Sequence, residues 1–210
     1  DGKNGWLWNF SNRDLSVTRI DPSRSKNVVR EVLGLRLSGV LVSDFYGAYH
    51  EIEAVKQKCL IHVKRNLKEA MEKAPSPTLK RFQSAFEGWL TTALDLKAEK
   101  TRLSQKAFQV RRAGLEKGLD RLARMKLPPD SPAAPLPARL ARHRNELLAF
   151  LDHKGVEYHN NHAERQIRPH AVIRKISYGT KSPKGSRTYQ ILMSVMQTCK
   201  LQETNFRNIC

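Results

Sequence analysis

The stretch Gly39-Val40-Leu41-Val42-Ser43-Asp44, followed by Phe45-Tyr46-Gly47-Ala48-Tyr49, decides how this 210-residue chain can fold. Its first part is short and continuously apolar, which predicts a buried central strand over residues 40–43. Asp44 directly follows that strand, at the position where α/β proteins place binding and catalytic side chains. An aspartate there can also serve as a turn residue or as a helix N-cap, so the motif leaves both roles open.

The residues before and after this stretch predict further α/β structure. Residues 6–10 are rich in aromatic side chains and residues 15–20 alternate, which together predict a β-hairpin. A helix is expected to begin after Ser25 as its N-cap and to end at Gly34. Downstream, the pattern predicts a helix over residues 46–55, a short strand over 58–61 and a helix over 62–73.

The middle of the chain has a helical pattern in place of the α/β pattern before it. After Pro75-Ser76-Pro77, apolar residues recur at spacings of three and four, which is typical of amphipathic helices, and residues 127–137 hold five prolines and predict a loop. We therefore expect residues 76–153 to be an all-helical insertion. It would separate two parts of one α/β core, residues 1–75 and 154–210.

The last part carries a second notable carboxylate, Glu164. Asn160 is a good N-cap for a short helix that Pro169 would end, with Ile167 packing inward beside Glu164. Residues 171–173 and 176–178 are predicted to be extended, and residues 186–200 to form a helix. The core face of that final helix would consist of Tyr189, Leu192, Met193, Met196 and Cys199.

The charge of the chain points to a polyanionic partner. Lysine and arginine number 38 against 20 acidic residues, a formal net charge of +18, so nucleic acid is the expected partner and basicity that only aids solubility is the alternative. No apolar stretch is long enough for a membrane span and no signal peptide is visible, so we expect no membrane partner. The chain has three cysteines, Cys59, Cys199 and Cys210. So few cysteines predict no disulfide framework, which is typical of a protein in a reducing cytosol.

Three groups of basic residues are candidate contacts to DNA phosphates, with a solvated surface as the alternative. The first lies on the predicted helix after residue 61, the second follows Glu164, and the third surrounds Tyr178 and two glycines. In order, their members are His62, Lys64, Arg65 and Lys68; Arg165 and Arg168; and Arg174, Lys175, Lys181, Lys184 and Arg187.

Asp44 and Glu164 together suggest metal-dependent phosphodiester chemistry. Magnesium prefers carboxylate and water ligands, and bound ions can neutralise phosphate oxygens and activate an attacking hydroxyl. Glu164 could instead form a surface ion pair with Arg168. A zinc site is a further alternative, because four side chains have suitable donor atoms: Cys59, His62, His159 and His162.

Several segments resemble the insertion-sequence-66 family of bacterial transposases. The most specific are Ser43-Asp44-Phe45-Tyr46 and Asn160-Asn161-His162-Ala163-Glu164-Arg165, and the others are residues 5–8, 21–25, 59–65 and 198–201. The resemblance implies a ribonuclease-H-like fold, a mixed sheet flanked by helices, and an Asp-Asp-Glu triad that acts on DNA. Asp44 would be the second acid and Glu164 the third, with Asn160 and Asn161 capping and orienting the Glu164 helix.

The same resemblance implies partners and a cofactor. These are Mg²⁺, with Mn²⁺ as an alternative ion, transposon-end and target DNA, and a homo-oligomeric transposition complex at the bacterial nucleoid. The family's first triad Asp belongs to an Asp-Glu-Thr segment that would precede Asp1, so we expect these 210 residues to lack it and the first strand. Alone they should then be inactive. A non-catalytic DNA-binding relative and a nuclease or resolvase of the same fold stay open.

Overall fold

A computed structural model of the chain describes residues 5–208 and combines strands with a larger share of helix, which confirms the α/β class. Within that range the strands are β1 (Trp6–Ser11), β2 (Ser16–Asp21), β3 (Arg36–Ser43) and β4 (Glu53–Lys58). The helices are α1 (Lys26–Leu33), α2 (Leu60–Lys73), α3 (Pro77–Glu99), α4 (Gln105–Arg124), α5 (Leu136–Arg142), α6 (Ala149–Asp152), α7 (Asn161–Ser177) and α8 (Pro183–Leu201).

The chain divides into two compact units. The first contains residues 5–35, 47–52 and 160–208, and the second contains residues 36–46 and 53–159. Residues 77–152 hold α3 to α6 and no strand, which fits the expected helical insertion, while the three-part domain division stays a prediction. None of the helices between residues 5 and 208 is long and apolar enough to cross a membrane.

The first unit is built on the predicted hairpin. Strands β1 and β2 pair antiparallel with Trp6 opposite Asp21 and Ser11 opposite Ser16, and Asn12 closes the turn by accepting the Leu15 N–H at 2.7 Å. Helix α1 ends at Gly34, whose φ of 74° suits glycine, as the sequence predicts. Ser25 takes the N-cap position, although its side chain makes no capping hydrogen bond.

Helix α8 covers the edge of β2 that β1 leaves open. The backbone N–H groups of Ser16, Thr18 and Ile20 donate in turn to the side chains of Thr198, Ser194 and Gln190. These bonds measure 3.1, 2.8 and 3.0 Å. Side-chain acceptors on one helix face thus satisfy backbone donors that a neighbouring strand would otherwise bind.

Helix α7 continues through Pro169, so the predicted end of that helix and the extended pieces at 171–173 and 176–178 are wrong. Proline removes one backbone hydrogen bond, but Pro169 is exposed and water can reach the carbonyl that loses its donor. The next residue, His170, is 3% exposed and binds Thr18 Oγ1 through Nε2 at 3.2 Å and the Tyr189 hydroxyl through Nδ1 at 2.8 Å. This packing holds the helix across the proline.

Two predictions about buried faces need correction. Ile167 is 40% exposed and does not pack inward beside Glu164. On α8, Met193 and Cys199 are buried as expected and Tyr189 is half-buried, but Leu192 and Met196 are 45% and 46% exposed. Polar residues of α8 face β2 in place of part of the expected apolar stripe, which turns these two side chains outward.

The second unit contains the parallel pair β3 and β4, with Val40 opposite Val55 and Ser43 opposite Lys58. The predicted helix over 46–55 is wrong: a 3₁₀ turn covers Gly47–Tyr49 and β4 follows, because pairing with β3 overrides the helical propensity of Glu53 and Ala54. The predicted strand over 58–61 is also wrong, since Lys58 ends β4 and α2 begins at Leu60.

Strand β3 is longer and less buried than expected. Val40, Leu41 and Val42 are half-buried, and within residues 5–208 the strand pairs with β4 alone, so the expectation of a buried central strand is not met. The large core of this unit lies instead among α2 to α6. Its fully buried members include Leu67 on α2, Phe82 and Phe86 on α3, and Leu119 on α4. Cys59 and Cys199 are buried, and Cys210 lies outside the described residues.

We predict that removing one of the side-chain acceptors on α8 destabilises the chain. Ser194→Ala leaves the N–H of Thr18, a residue that is 3% exposed, without its acceptor, which should lower the free energy of unfolding by about 1–3 kcal/mol. Urea denaturation measures the change, and Ser84→Ala at an exposed position of α3 is the control. Equal stability of the two variants would contradict the role given to the side-chain acceptors.

We also predict that His170 makes stability depend on pH. Burial lowers the pKa of His170 below its ordinary value of 6.5, an effect that a hydrogen bond to Gln197 partly opposes. The unfolded chain therefore binds this proton at higher pH than the folded chain, so stability falls as the pH drops through about 6.5 towards the folded pKa. His170→Gln should show a smaller fall in denaturation experiments between about pH 8 and pH 5. Parallel profiles would refute the assignment, since the other histidines are common to both proteins.

Candidate functional site

Asp44 lies where the sequence predicts it, directly after β3. Its Oδ1 accepts the backbone N–H of Tyr46 at 3.0 Å, so the carboxylate closes a tight turn and the side chain is half-buried. The turn role that the sequence left open is therefore real. It does not exclude a second role, because a carboxylate has several acceptor positions and the turn uses one bond from Oδ1.

Lys58 fixes the backbone of Asp44, and the sequence alone did not identify it. Its side chain is fully buried, and Nζ donates to Ser43 Oγ at 3.1 Å and to the carbonyl oxygen of Asp44 at 3.0 Å. Burial lowers the pKa of the Lys58 ammonium, while nearby Glu146 and Asp44 act in the opposite direction. The ammonium binds the backbone of Asp44 and leaves the turn bond of its carboxylate intact.

Helix α2 begins beside the same strand end. The Cys59 N–H donates to the Ser43 carbonyl at 2.8 Å, and the first N–H of the helix, from Leu60, donates to the Tyr158 carbonyl at 2.9 Å. His62 is half-buried in the first turn of α2, whereas Lys64, Arg65 and Lys68 are exposed. Three of the four residues named as candidate DNA contacts on this helix thus lie on its solvent side.

Glu164 lies in the first turn of α7, and its N–H donates to the Asn160 carbonyl at 3.1 Å. Asn160 occupies the predicted N-cap position, although its side chain makes no capping hydrogen bond, and Asn161 is the first helical residue. Glu164 is half-buried. A carboxylate in the first turn is favoured by the partial positive charge of the helix N-terminus.

The remaining predicted cations are exposed along α7, α8 and the turn between them. Between Arg165 and Gln202 the sequence holds eight lysines and arginines and no acidic residue. The exposed members predicted to contact DNA are Arg165, Arg168, Arg174, Lys175, Lys181, Lys184 and Arg187.

The candidate acids belong to different units: Asp44 to the second and Glu164 to the first. Among residues 5–208, no three or more His, Cys, Asp or Glu side chains are grouped so as to hold a metal ion. The four residues that the sequence offers as zinc ligands therefore do not form such a group: Cys59, His62, His159 and His162. The structure thus places Asp44 beside Lys58 and the start of α2, and Glu164 beside Asn160, while the joint role of the two acids stays a prediction.

We predict that Lys58→Met loosens the Asp44 turn without unfolding the chain. Methionine matches the length of lysine and removes a buried charge, so the strand end should stay filled. Two hydrogen bonds to residues 43 and 44 are lost, however, and the Tyr46 amide should exchange with solvent roughly tenfold faster. Hydrogen-exchange mass spectrometry of a peptide covering residues 43–49 measures this, with Lys64→Met as the exposed control. Unchanged exchange would show that Lys58 does not hold the turn.

Comparison with known proteins identifies a family model and two similar proteins. A family model described as "Transposase IS66 family" matches residues 1–188. Two uncharacterized proteins of Sinorhizobium fredii are similar. One, y4jO, is 38% identical over 63 residues, which cover 30% of this chain and 20% of that protein. The other, y4jD, is 26% identical over 177 residues, which cover 78% of this chain and 35% of that protein.

The chain therefore spans well under half the length of these two relatives. No solved structure matches it. The family match covers most of the chain, including both Asp44 and Glu164. This chain belongs to the IS66 family of transposases.

Proposed function

We propose that this chain is part of the catalytic domain of a DNA transposase that cleaves DNA and joins a 3′-hydroxyl to target DNA. The observation that carries the proposal is Asp44. Its carboxylate follows a parallel strand, its backbone is anchored by a buried lysine, and it lies inside the segment that the family model matches. Such strand ends are where α/β folds place reactive side chains.

Asp44 and Glu164 are the residues that would hold Mg²⁺ or Mn²⁺. Two carboxylates fit the oxygen ligands that these ions prefer, and the Lys58 ammonium holds the backbone of Asp44 through its carbonyl oxygen. When bound, such ions neutralise phosphate oxygens and lower the pKa of the attacking hydroxyl. The Asp-Asp-Glu triad that the family resemblance implies has one carboxylate besides these two.

The chain's own residues would bind and orient the DNA. Asn160 and Asn161 begin the helix that presents Glu164, and Arg165 and Arg168 follow it on the exposed side. Further exposed cations lie on α2 and around the α7–α8 turn. Together with Arg165 and Arg168 they support contact with DNA phosphates, because guanidinium and ammonium groups displace the counterions of DNA.

The described strands form two separate two-stranded sheets, the antiparallel pair β1–β2 and the parallel pair β3–β4, so the ribonuclease-H-like core rests on the family relationship. Helices α3 to α6 would then be the helical insertion before the Glu164 helix. We propose this fold on the family relationship, with assembly into a homo-oligomer as part of the same proposal.

We predict that Asp44→Asn and Glu164→Gln each abolish strand transfer by a protein that contains this chain. Amides keep the size of the carboxylates but lose the negative charge that binds metal, so joined product should fall roughly a hundredfold or more. A gel assay with labelled transposon ends and Mg²⁺ measures both cleaved and joined DNA. Asp95→Asn and Glu203→Gln, at exposed positions in the two units, are matched controls and should retain activity.

The outcomes separate the competing functions. Cleaved DNA without joined product would favour a nuclease or resolvase, and DNA binding without either product would favour a non-catalytic relative. Unchanged joined product in Asp44→Asn or Glu164→Gln would overturn the role proposed for that carboxylate.

A further inference from the structure

The turn between α7 and α8 presents an exposed aromatic ring in a segment rich in cations. We define the cationic turn as residues 174–187, in which α7 ends at Ser177 and α8 begins at Pro183. Arg174 and Lys175 lie in the last turn of α7, while Lys184 and Arg187 lie in the first turns of α8. Tyr178 lies between these groups and is 82% exposed, the largest exposed fraction among the large hydrophobic residues that the structure describes.

Tyr178 adopts a backbone conformation that tyrosine rarely takes. Its φ and ψ are 55° and 21°, in the left-handed region, and Gly179 follows with a φ of 84°. Left-handed backbone is uncommon for residues other than glycine, asparagine and aspartate. Stability alone would therefore favour a small polar residue here, and burial of the ring does not explain the tyrosine.

The turn is held in place by its own hydrogen bonds. The Ser177 hydroxyl donates to the Ile173 carbonyl at 2.9 Å and accepts the Gly179 N–H at 3.3 Å. At the other end the Ser182 hydroxyl accepts the Gly185 N–H at 3.0 Å. Lys181 Nζ donates to the Tyr178 carbonyl at 3.3 Å, so one cation binds the backbone of the residue that carries the ring. The aromatic side chain is therefore presented on an ordered backbone.

We propose that Tyr178 stacks on an unpaired base of DNA while the surrounding cations bind the flanking phosphates. Charge decides the class of partner, because residues 165–202 contain no acid and five cations lie within the cationic turn. Aromatic rings combined with lysine and arginine bind single-stranded nucleic acid by stacking and charge neutralisation. Bases within a duplex are already stacked on both faces, so an opened or single-stranded segment offers the surface that the ring needs.

This inference rests on the proposed function and deepens it. Staggered cleavage and joining of DNA leave short single-stranded segments, and Tyr178 would engage the bases there. Tyr178 is then a binding residue for the DNA end, with a preference for structure over base sequence, because every base has a face on which a ring can stack.

The experiment compares two DNA probes with the 210-residue chain. One is a blunt duplex, and the other is the same duplex with a single-stranded overhang that carries 2-aminopurine. The test variant is Tyr178→Asn, because asparagine tolerates the left-handed backbone but has no ring. Affinity for the overhang should fall roughly tenfold while affinity for the blunt duplex stays unchanged. Tyr178→Trp should restore overhang binding and quench the 2-aminopurine fluorescence on contact.

Matched controls separate the ring from the charges. Ile176→Ala removes another exposed apolar side chain, 75% exposed on the last turn of α7, and should leave both affinities unchanged. Neutralising Lys181, Lys184 and Arg187 together should weaken both probes and flatten the salt dependence of binding. Circular dichroism confirms that each variant keeps its helices.

Failure of this inference differs from failure of the proposed function. If the chain binds both probes and Tyr178→Asn leaves both affinities unchanged, or lowers them equally, the stacking inference is overturned. The transposase proposal then still stands. Absence of binding to both probes contradicts the proposed DNA contacts themselves. Loss of binding to anionic lipid vesicles in Tyr178→Asn, with overhang binding intact, would assign the ring to a membrane surface and overturn the inference.

Discussion

The contact between α8 and the edge of β2 organises the first unit. Three acceptors four residues apart on the helix meet three N–H groups two residues apart on the strand. The match is geometric, because four helical residues rise about 6.0 Å and two strand residues about 6.6 Å. Helix and strand can therefore run side by side, in opposite directions, with a hydrogen bond at every step. An edge that could pair with another chain is closed by side chains of the same chain.

This contact also explains why the cationic turn stays outside. Gln190 is the acceptor nearest the start of α8, and it binds Ile20 near the end of β2. The first two turns of α8 therefore extend beyond the strand. Residues 183–187 then have no sheet to pack on, and their cations remain in solvent. Helix α7 reaches the hairpin through His170, which leaves its own last turn exposed as well. Exposure of Tyr178 is thus a consequence of where the helix–strand contact stops.

Local patterns in the sequence predicted the elements that depend on local chemistry. The hairpin, the end of α1 at Gly34, the helices after residue 76 and the position of Asp44 follow from turn residues, periodicity and strand length. Elements set by tertiary contact were missed. Strand β4 forms against helical propensity because β3 supplies its hydrogen bonds, and α7 passes Pro169 because His170 is held on the far side. The role of the polar acceptors on α8 was also missed, because it depends on the tertiary contact with β2.

Lys58 shows why part of the candidate site could not be predicted. Gln57 and Lys58 are both fully buried at the end of β4, and consecutive strand residues point to opposite faces. Gln57 accepts the Phe150 N–H at 2.8 Å and donates to the Leu147 carbonyl at 3.2 Å, while Lys58 holds Ser43 and Asp44. One strand end therefore anchors the helical segment on one side and the candidate acid on the other. Because each group is satisfied only in this register, a slip of one residue would release both, so the polar pair specifies the register that positions Asp44.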